Sequence, residues 1–87
     1  MRTLTDAEQT FLKAMLTVLD RQPAEIAEAG WHGLTEAHLG TTINLTDFET
    51  LRDYCLMQKW VHSAPNAVTG RMRWAISSAG KIALQQL

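Results

Sequence analysis

Arg71 and Arg73 are the residues of this chain whose type and spacing most clearly suit a ligand. On an extended strand, side chains two positions apart lie on one face, about 7 Å from each other. Two guanidinium groups at that separation match successive phosphates or enter a minor groove, which indicates contact with a nucleic acid. The pair equally suits a solvated strand face, because edge arginines discourage aggregation between sheets. The two residues by themselves leave both interpretations open.

The charges are segregated along the sequence. All nine acidic residues lie within residues 1–53, which carry four basic residues and a net charge of −5. Residues 54–87 carry four basic and no acidic side chains, for a net charge of +4, although the whole chain sums to −1. Attraction to a polyanion depends on the local surface potential rather than on the total charge. We therefore expect a basic surface in the C-terminal third, to which Lys81 adds a third cation.

Capping residues and apolar periodicity predict the first helical elements. Thr5 and Glu8 form a capping box that starts a helix at Asp6. A short second helix is expected over residues 24–29, with Gly30 as its C-cap. The apolar stripe of the first helix, at 3.6-residue spacing, consists of Phe11, Leu12, Met15, Val18 and Leu19.

The middle of the chain is typical of a helix-turn-helix. Thr35 is a candidate N-cap for a helix over residues 35–42, and Asn44-Leu45 forms the turn. A second capping box, Thr46 with Glu49, opens a helix over about residues 47–58. The apolar face of that helix consists of Phe48, Leu51, Cys55 and Leu56.

After residue 58 the apolar period changes from 3.6 to 2, which predicts a hairpin. Strands over residues 59–64 and 71–76 flank an irregular loop over residues 65–70. Ser77 or Ser78 caps a final helix. The buried face of the return strand is Met72, Trp74 and Ile76, and the apolar stripe of the final helix is Ala79, Ile82, Ala83 and Leu87.

These elements share one predicted core. Gly80 permits close approach of a neighbouring element, whereas Lys59 occupies a helix end where glycine would avoid strain. Cys55 is expected to be a buried apolar residue, and Trp31 either plugs the base of the domain or lies exposed at a partner surface. The expected core consists of Phe11, Met15, Leu39, Phe48, Leu51, Leu56, Trp74, Ile76 and Ile82.

In this order of elements the chain resembles the winged helix-turn-helix superfamily, in the compact form of MarR-like and ArsR-like regulators and of small prophage proteins. The resemblance covers about residues 5–87 and is clearest in residues 34–39, residues 51–61 and Trp74-Ala75-Ile76-Ser77-Ser78-Ala79-Gly80. It implies a single α+β domain, residues 1–87, with three main helices, a two-stranded wing and a short C-terminal helix. It also implies a DNA-binding transcriptional regulator. ArsR-like proteins dimerise through their terminal helices, so a homodimer with Leu16 as a contact is expected.

The helix that corresponds to the recognition helix is acidic near its start, where Asp47 and Glu49 lie. Guanine and adenine are read mainly by Arg, Lys, Asn and Gln, so strong base-specific binding by a monomer is not favoured. Weaker DNA contacts are expected from Thr46, Thr50, Arg52, Tyr54 and Lys59.

Catalytic signatures are missing from the sequence: it has no G-x-S-x-G and no glycine-rich phosphate loop after a strand. His32, His38, Cys55 and His62 lack metal-ligand spacing. We therefore expect neither an enzyme nor a cofactor or metal. Because the sequence has no apolar run of membrane-spanning length and no signal peptide, a cytoplasmic location away from membranes is expected.

Two functions remain. The first is a small DNA-binding regulator that contacts phosphates with the wing residues Arg71, Arg73 and Lys81, and the fold resemblance favours it. The second is a winged-helix protein-interaction module that does not bind DNA and instead presents an apolar patch to a partner protein.

Overall fold

The computed structural model describes residues 3–87 and has an α+β fold, as predicted. In this part of the chain, four helices pack with a three-stranded antiparallel sheet of order β1-β3-β2. The elements are α1 (Asp6–Asp20), β1 (Ile26–Ala27), α2 (Glu28–Leu39), α3 (Leu45–Met57), β2 (Val61–Pro65), β3 (Met72–Ile76) and α4 (Ser78–Gln86). None of the helices within residues 3–87 has the length and apolar character needed to span a membrane.

Helix α1 begins with the predicted capping box. The Glu8 amide donates to Thr5 Oγ1 over 3.1 Å, and the Thr5 amide donates to Glu8 Oε1 over 3.0 Å. The predicted stripe is buried, with Phe11 only partly covered. Leu16 is fully buried as well, so its predicted role as a homodimer contact is wrong. Helix α1 is enclosed on several sides because it contacts α2, α3, α4 and β3.

The segment after α1 differs most from the sequence prediction. The short helix over residues 24–29 is wrong, because Ile26 pairs with Trp74 and Ala27 with Arg73 in the sheet. Helix α2 then begins at Glu28, passes through Gly30 and ends at Leu39. Strand β1 has only two residues, and its partners lie 46 or more positions away in the sequence. So short a segment has no apolar periodicity from which a strand could be predicted.

The predicted Thr35 N-cap is also wrong. Thr35 lies inside α2, where its buried hydroxyl donates to the Trp31 carbonyl over 2.8 Å. A threonine hydroxyl satisfied within the helix does not mark a terminus. Gly30, predicted to cap the short helix over residues 24–29, lies inside α2 as well, and the C-cap is Gly40, which adopts the left-handed conformation at φ 72° that glycine tolerates best.

Helix α3 begins two residues before the predicted start. Its N-cap is Asn44, whose side chain accepts a hydrogen bond from the Thr46 amide over 2.8 Å, rather than Thr46. The face formed by Phe48, Leu51 and Cys55 is buried as predicted. Leu56 is 42 % exposed because it lies about 100° around the helix from Cys55.

The core is centred on Trp31, which is fully buried and so plugs the interior. Its ring centroid lies 5.1 Å from that of Phe48 and 5.6 Å from that of Trp74. Its Nε1 donates to the Met15 carbonyl over 3.0 Å. Of the predicted core, Leu56 and Ile82 are wrong because both are exposed, and Phe11, Leu39 and Ile76 pack against the core while only partly buried.

The predicted hairpin is present as β2 and β3, which pair from Val61 opposite Ile76 to Pro65 opposite Met72. Helix α4 is capped by Ser77, whose Oγ accepts from the Gly80 amide over 3.0 Å. The Ser77 hydroxyl also donates to the Lys59 carbonyl over 2.6 Å. Lys59 has a φ of 61°, so the strain expected from the missing glycine is present.

Substitution of Gly80 tests how closely α4 packs against the residues that precede β2. A Cβ at this position would meet the Trp60 carbonyl oxygen and lie 2.7 Å from Ile76 Cγ1. We expect Gly80→Ala to lower the free energy of unfolding by about 1–3 kcal/mol through overpacking. Gly33→Ala is the matched control, because a Cβ there meets nothing within 4 Å and alanine favours the α2 helix. Equal urea midpoints for the two variants would contradict the packing described here.

The burial of the Cys55 thiol predicts that the stability of the fold depends on pH. Burial raises the pKa of the Cys55 thiol to about 12 from the ordinary 9.0. The Cys55 thiol therefore ionises at a lower pH in the unfolded chain than in the folded chain. The stability that the neutral buried thiol contributes is present below pH 9 and is lost as the pH rises toward 12, by about 1.4 kcal/mol per pH unit. Urea unfolding at several values above pH 8 should show this slope in the wild type. The Cys55→Ala variant should lack that component, and identical slopes would contradict the assignment.

Candidate interaction surface between α3 and the hairpin

The three predicted wing cations have different surroundings. Arg73 is half-buried, and its Nη2 donates to the Glu25 carbonyl over 2.7 Å. Lys81 Nζ lies 3.9 Å from Asp20 Oδ1, which is a partly screened ion pair at the surface. Arg71 is exposed, and its guanidinium has no ion pair within residues 3–87. Arg71 is therefore the wing cation most available to a ligand.

Arg71 and Arg73 line different grooves. Arg73 lies in a groove with Glu25 and Lys81, whereas Arg71 borders a groove between the hairpin and α3. Arg73 lies within β3, and Arg71 directly precedes that strand and follows Gly70, which has a positive φ.

Arg52, the only basic residue of α3, is held within the protein. Its Nη1 lies 2.5 Å from Glu28 Oε1, and its Nη2 lies 2.8 Å from Asp53 Oδ1. Its Cζ lies 5.7 Å from the ring centroid of Trp74, within the range of a cation–π contact. Burial lowers the pKa of Arg52, but hydrogen bonds to Glu28 and Asp53 outweigh burial and leave the pKa raised. This guanidinium joins α2 to α3 rather than projecting to a ligand.

The other predicted residues near α3 do not form a row of donors. Thr46 and Thr50 are exposed, and the Thr50 hydroxyl donates to the Thr46 carbonyl over 2.9 Å. Tyr54 is half-buried with its ring centroid 5.6 Å from that of Trp60. Lys59 is exposed in the turn that follows the helix.

The remaining exposed surface of α3 is acidic and apolar. Asp47 and Asp53 are its exposed acids, and Glu49 is half-buried. Met57, which ends the helix, is 81 % exposed, and Leu56 beside it is 42 % exposed. Exposed apolar side chains of this size next to each other are typical of an interaction surface when they form a patch.

A groove of about 640 Å³ lies between α3, the start of α2 and the hairpin; we call it the α3–hairpin groove. Its charged members are Glu28, Arg52, Asp53 and Arg71. Its apolar members are Ala27, Ala29, Leu56, Met72 and Trp74. Sequence reasoning assigned Leu56 and Trp74 to the core and Met72 to the buried face of the return strand, but Met72 is exposed. It did not identify this groove, because the walls come from three segments far apart in the chain.

Trp74 contributes an unpaired polar atom to this region. The side chain is almost fully buried, and its Nε1 has no hydrogen-bond acceptor within residues 3–87. A buried donor without an acceptor costs about 1–3 kcal/mol. By contrast, the Nε1 of Trp31 is satisfied by the Met15 carbonyl.

The residues considered as metal ligands are separated. His32 Nε2 donates to the Ile43 carbonyl over 2.8 Å, and Cys55 is buried among apolar side chains. Within residues 3–87, no group of three or more histidine, cysteine or acidic side chains converges on a point suited to a metal ion.

Comparison with protein-family models, with curated proteins and with solved structures found no match to this chain.

The Arg52–Glu28 pair should support the shape of the groove. We expect Arg52→Ala to lower the free energy of unfolding by about 1–2 kcal/mol, because it removes a partly buried ion pair and the contact with Trp74. In a double-mutant cycle with Glu28→Gln, the coupling energy should exceed about 0.5 kcal/mol. Urea unfolding measures both quantities, and additive effects would mean that the pair does not join α2 to α3.

Proposed function

We propose that this chain is a winged-helix module that binds a partner protein through the α3–hairpin groove. The order of its elements, with a helical first half, a hairpin after α3 and a closing helix, supports the winged-helix interpretation. So does the pairing of β1 with the return strand of the hairpin. On this interpretation, α3 occupies the position of the recognition helix and the hairpin is the wing.

The observation that carries the proposal is the character of α3. A helix that enters a major groove needs outward donors and a surface that phosphates do not repel. Here the exposed acids Asp47 and Asp53 and the half-buried Glu49 accompany exposed Leu56 and Met57. The single arginine of the helix is already bound to Glu28 and Asp53. This combination suits a protein surface better than a DNA duplex.

A small cytoplasmic DNA-binding regulator is the second candidate, and one observation favours it. Arg71 is exposed beside the hairpin loop, has no ion pair within residues 3–87, and belongs to the segment without acidic side chains. One free wing arginine favours weak phosphate contact that is largely independent of base sequence.

Duplex binding distinguishes the two candidates. Fluorescence anisotropy of a random-sequence duplex at low salt should show no binding if the chain is a protein-interaction module. If the duplex does bind, Arg71→Ala should reduce the logarithmic salt slope by about 0.9. Arg73→Ala should change that slope less, because Arg73 is bonded to the Glu25 carbonyl. Binding with this pattern would contradict the protein-interaction proposal.

Partner binding is tested by changing the groove. We expect Leu56→Asp and Met72→Asp to abolish crosslinking to a partner from the source cells, because each places a charge on an apolar wall. Leu34→Asp is the matched control, since Leu34 is 43 % exposed, as Met72 is, and lies outside the groove. Mass spectrometry identifies the proteins that crosslink to the control variant but to neither groove variant. Equal retention by all three variants would exclude the groove as the binding surface.

A further inference from the structure

The α3–hairpin groove has an apolar wall on which one large side chain can pack. Leu56 and Met72 are partly exposed there, and Trp74 forms the deeper part of the wall. Ala27 and Ala29 also line the groove, where their small side chains leave space. Covering this wall would remove apolar surface from water, which favours an apolar anchor in the ligand.

The charged residues of the groove favour a ligand that carries a negative charge. Glu28 and Asp53 are both paired with Arg52, so a cationic ligand would have to compete with a guanidinium already in place. Arg71 borders the same groove without an ion pair among the described residues. A carboxylate placed at the hairpin end therefore gains an unopposed partner, and a cation placed there is repelled.

We propose that the groove binds a segment of a partner protein in which a large apolar side chain lies next to Asp or Glu. The apolar side chain packs on Leu56, Met72 and Trp74, and the carboxylate pairs with Arg71. This inference rests on the proposed protein-interaction function and adds the chemistry of the partner.

The experiment selects random dodecapeptides displayed on phage against the immobilised full chain. Enriched peptides should combine a large apolar residue with an adjacent acid. Synthetic copies of the enriched peptides, measured by fluorescence anisotropy, should lose about threefold to tenfold in affinity when the acid becomes its amide or when Arg71 is changed to Ala. Arg21→Ala is the matched control, because Arg21 is an exposed arginine outside the groove and should leave affinity unchanged.

The outcomes separate this inference from the proposed function. Enrichment of basic peptides or an unaffected Arg71→Ala variant would overturn the acidic–apolar assignment. If no peptide is enriched, while Leu56→Asp and Met72→Asp still abolish partner crosslinking, the inference fails and the proposed function stands. If crosslinking also survives those two changes, both fail. Sedimentation of the chain with itself would identify a second copy as the occupant and also overturn the assignment.

Discussion

The burial of Trp31 is the interaction on which the rest of this structure depends. Its indole lies at the centre of the core, contacting Phe48 of α3 and Trp74 of β3, while its Nε1 donates to the Met15 carbonyl of α1. One side chain of α2 thus fixes the positions of two other helices and the sheet. Because Trp31 is fully buried, every element that packs on it must exclude water, and the donor requires the acceptor that α1 provides.

The polar character of the candidate surface follows from the same packing. Once α2 and α3 are joined through Trp31 and Phe48, Glu28 lies within reach of Arg52. The guanidinium of Arg52, which the sequence predicted as a DNA contact, is consequently held above Trp74 between three acids. Besides Thr46 and Thr50, α3 exposes carboxylate and apolar surface, which is the basis for proposing a protein partner rather than a duplex.

The hairpin is positioned by a tight junction rather than by a glycine turn. Lys59 adopts a positive φ of 61°, its carbonyl accepts from the Ser77 hydroxyl, and the Ser77 amide donates to the Trp60 carbonyl over 2.9 Å. Gly80 then allows α4 to approach that carbonyl. These contacts tie the end of α3, the end of β3 and the start of α4 together, so the groove between α3 and the hairpin has a fixed wall.

The sequence by itself determined the elements whose signals are local: the α1 capping box with Glu8, the hairpin with its period of two, a serine cap at Ser77 or Ser78 and the burial of Cys55. Only the tertiary structure decided the features that join distant residues. Strand β1 exists because Ile26 pairs with Trp74, Arg52 is occupied because Glu28 lies beside it, and the groove forms where α2, α3 and the hairpin meet. Periodicity and capping describe a segment and its near neighbours, whereas these contacts depend on residues that approach each other only after the chain has folded.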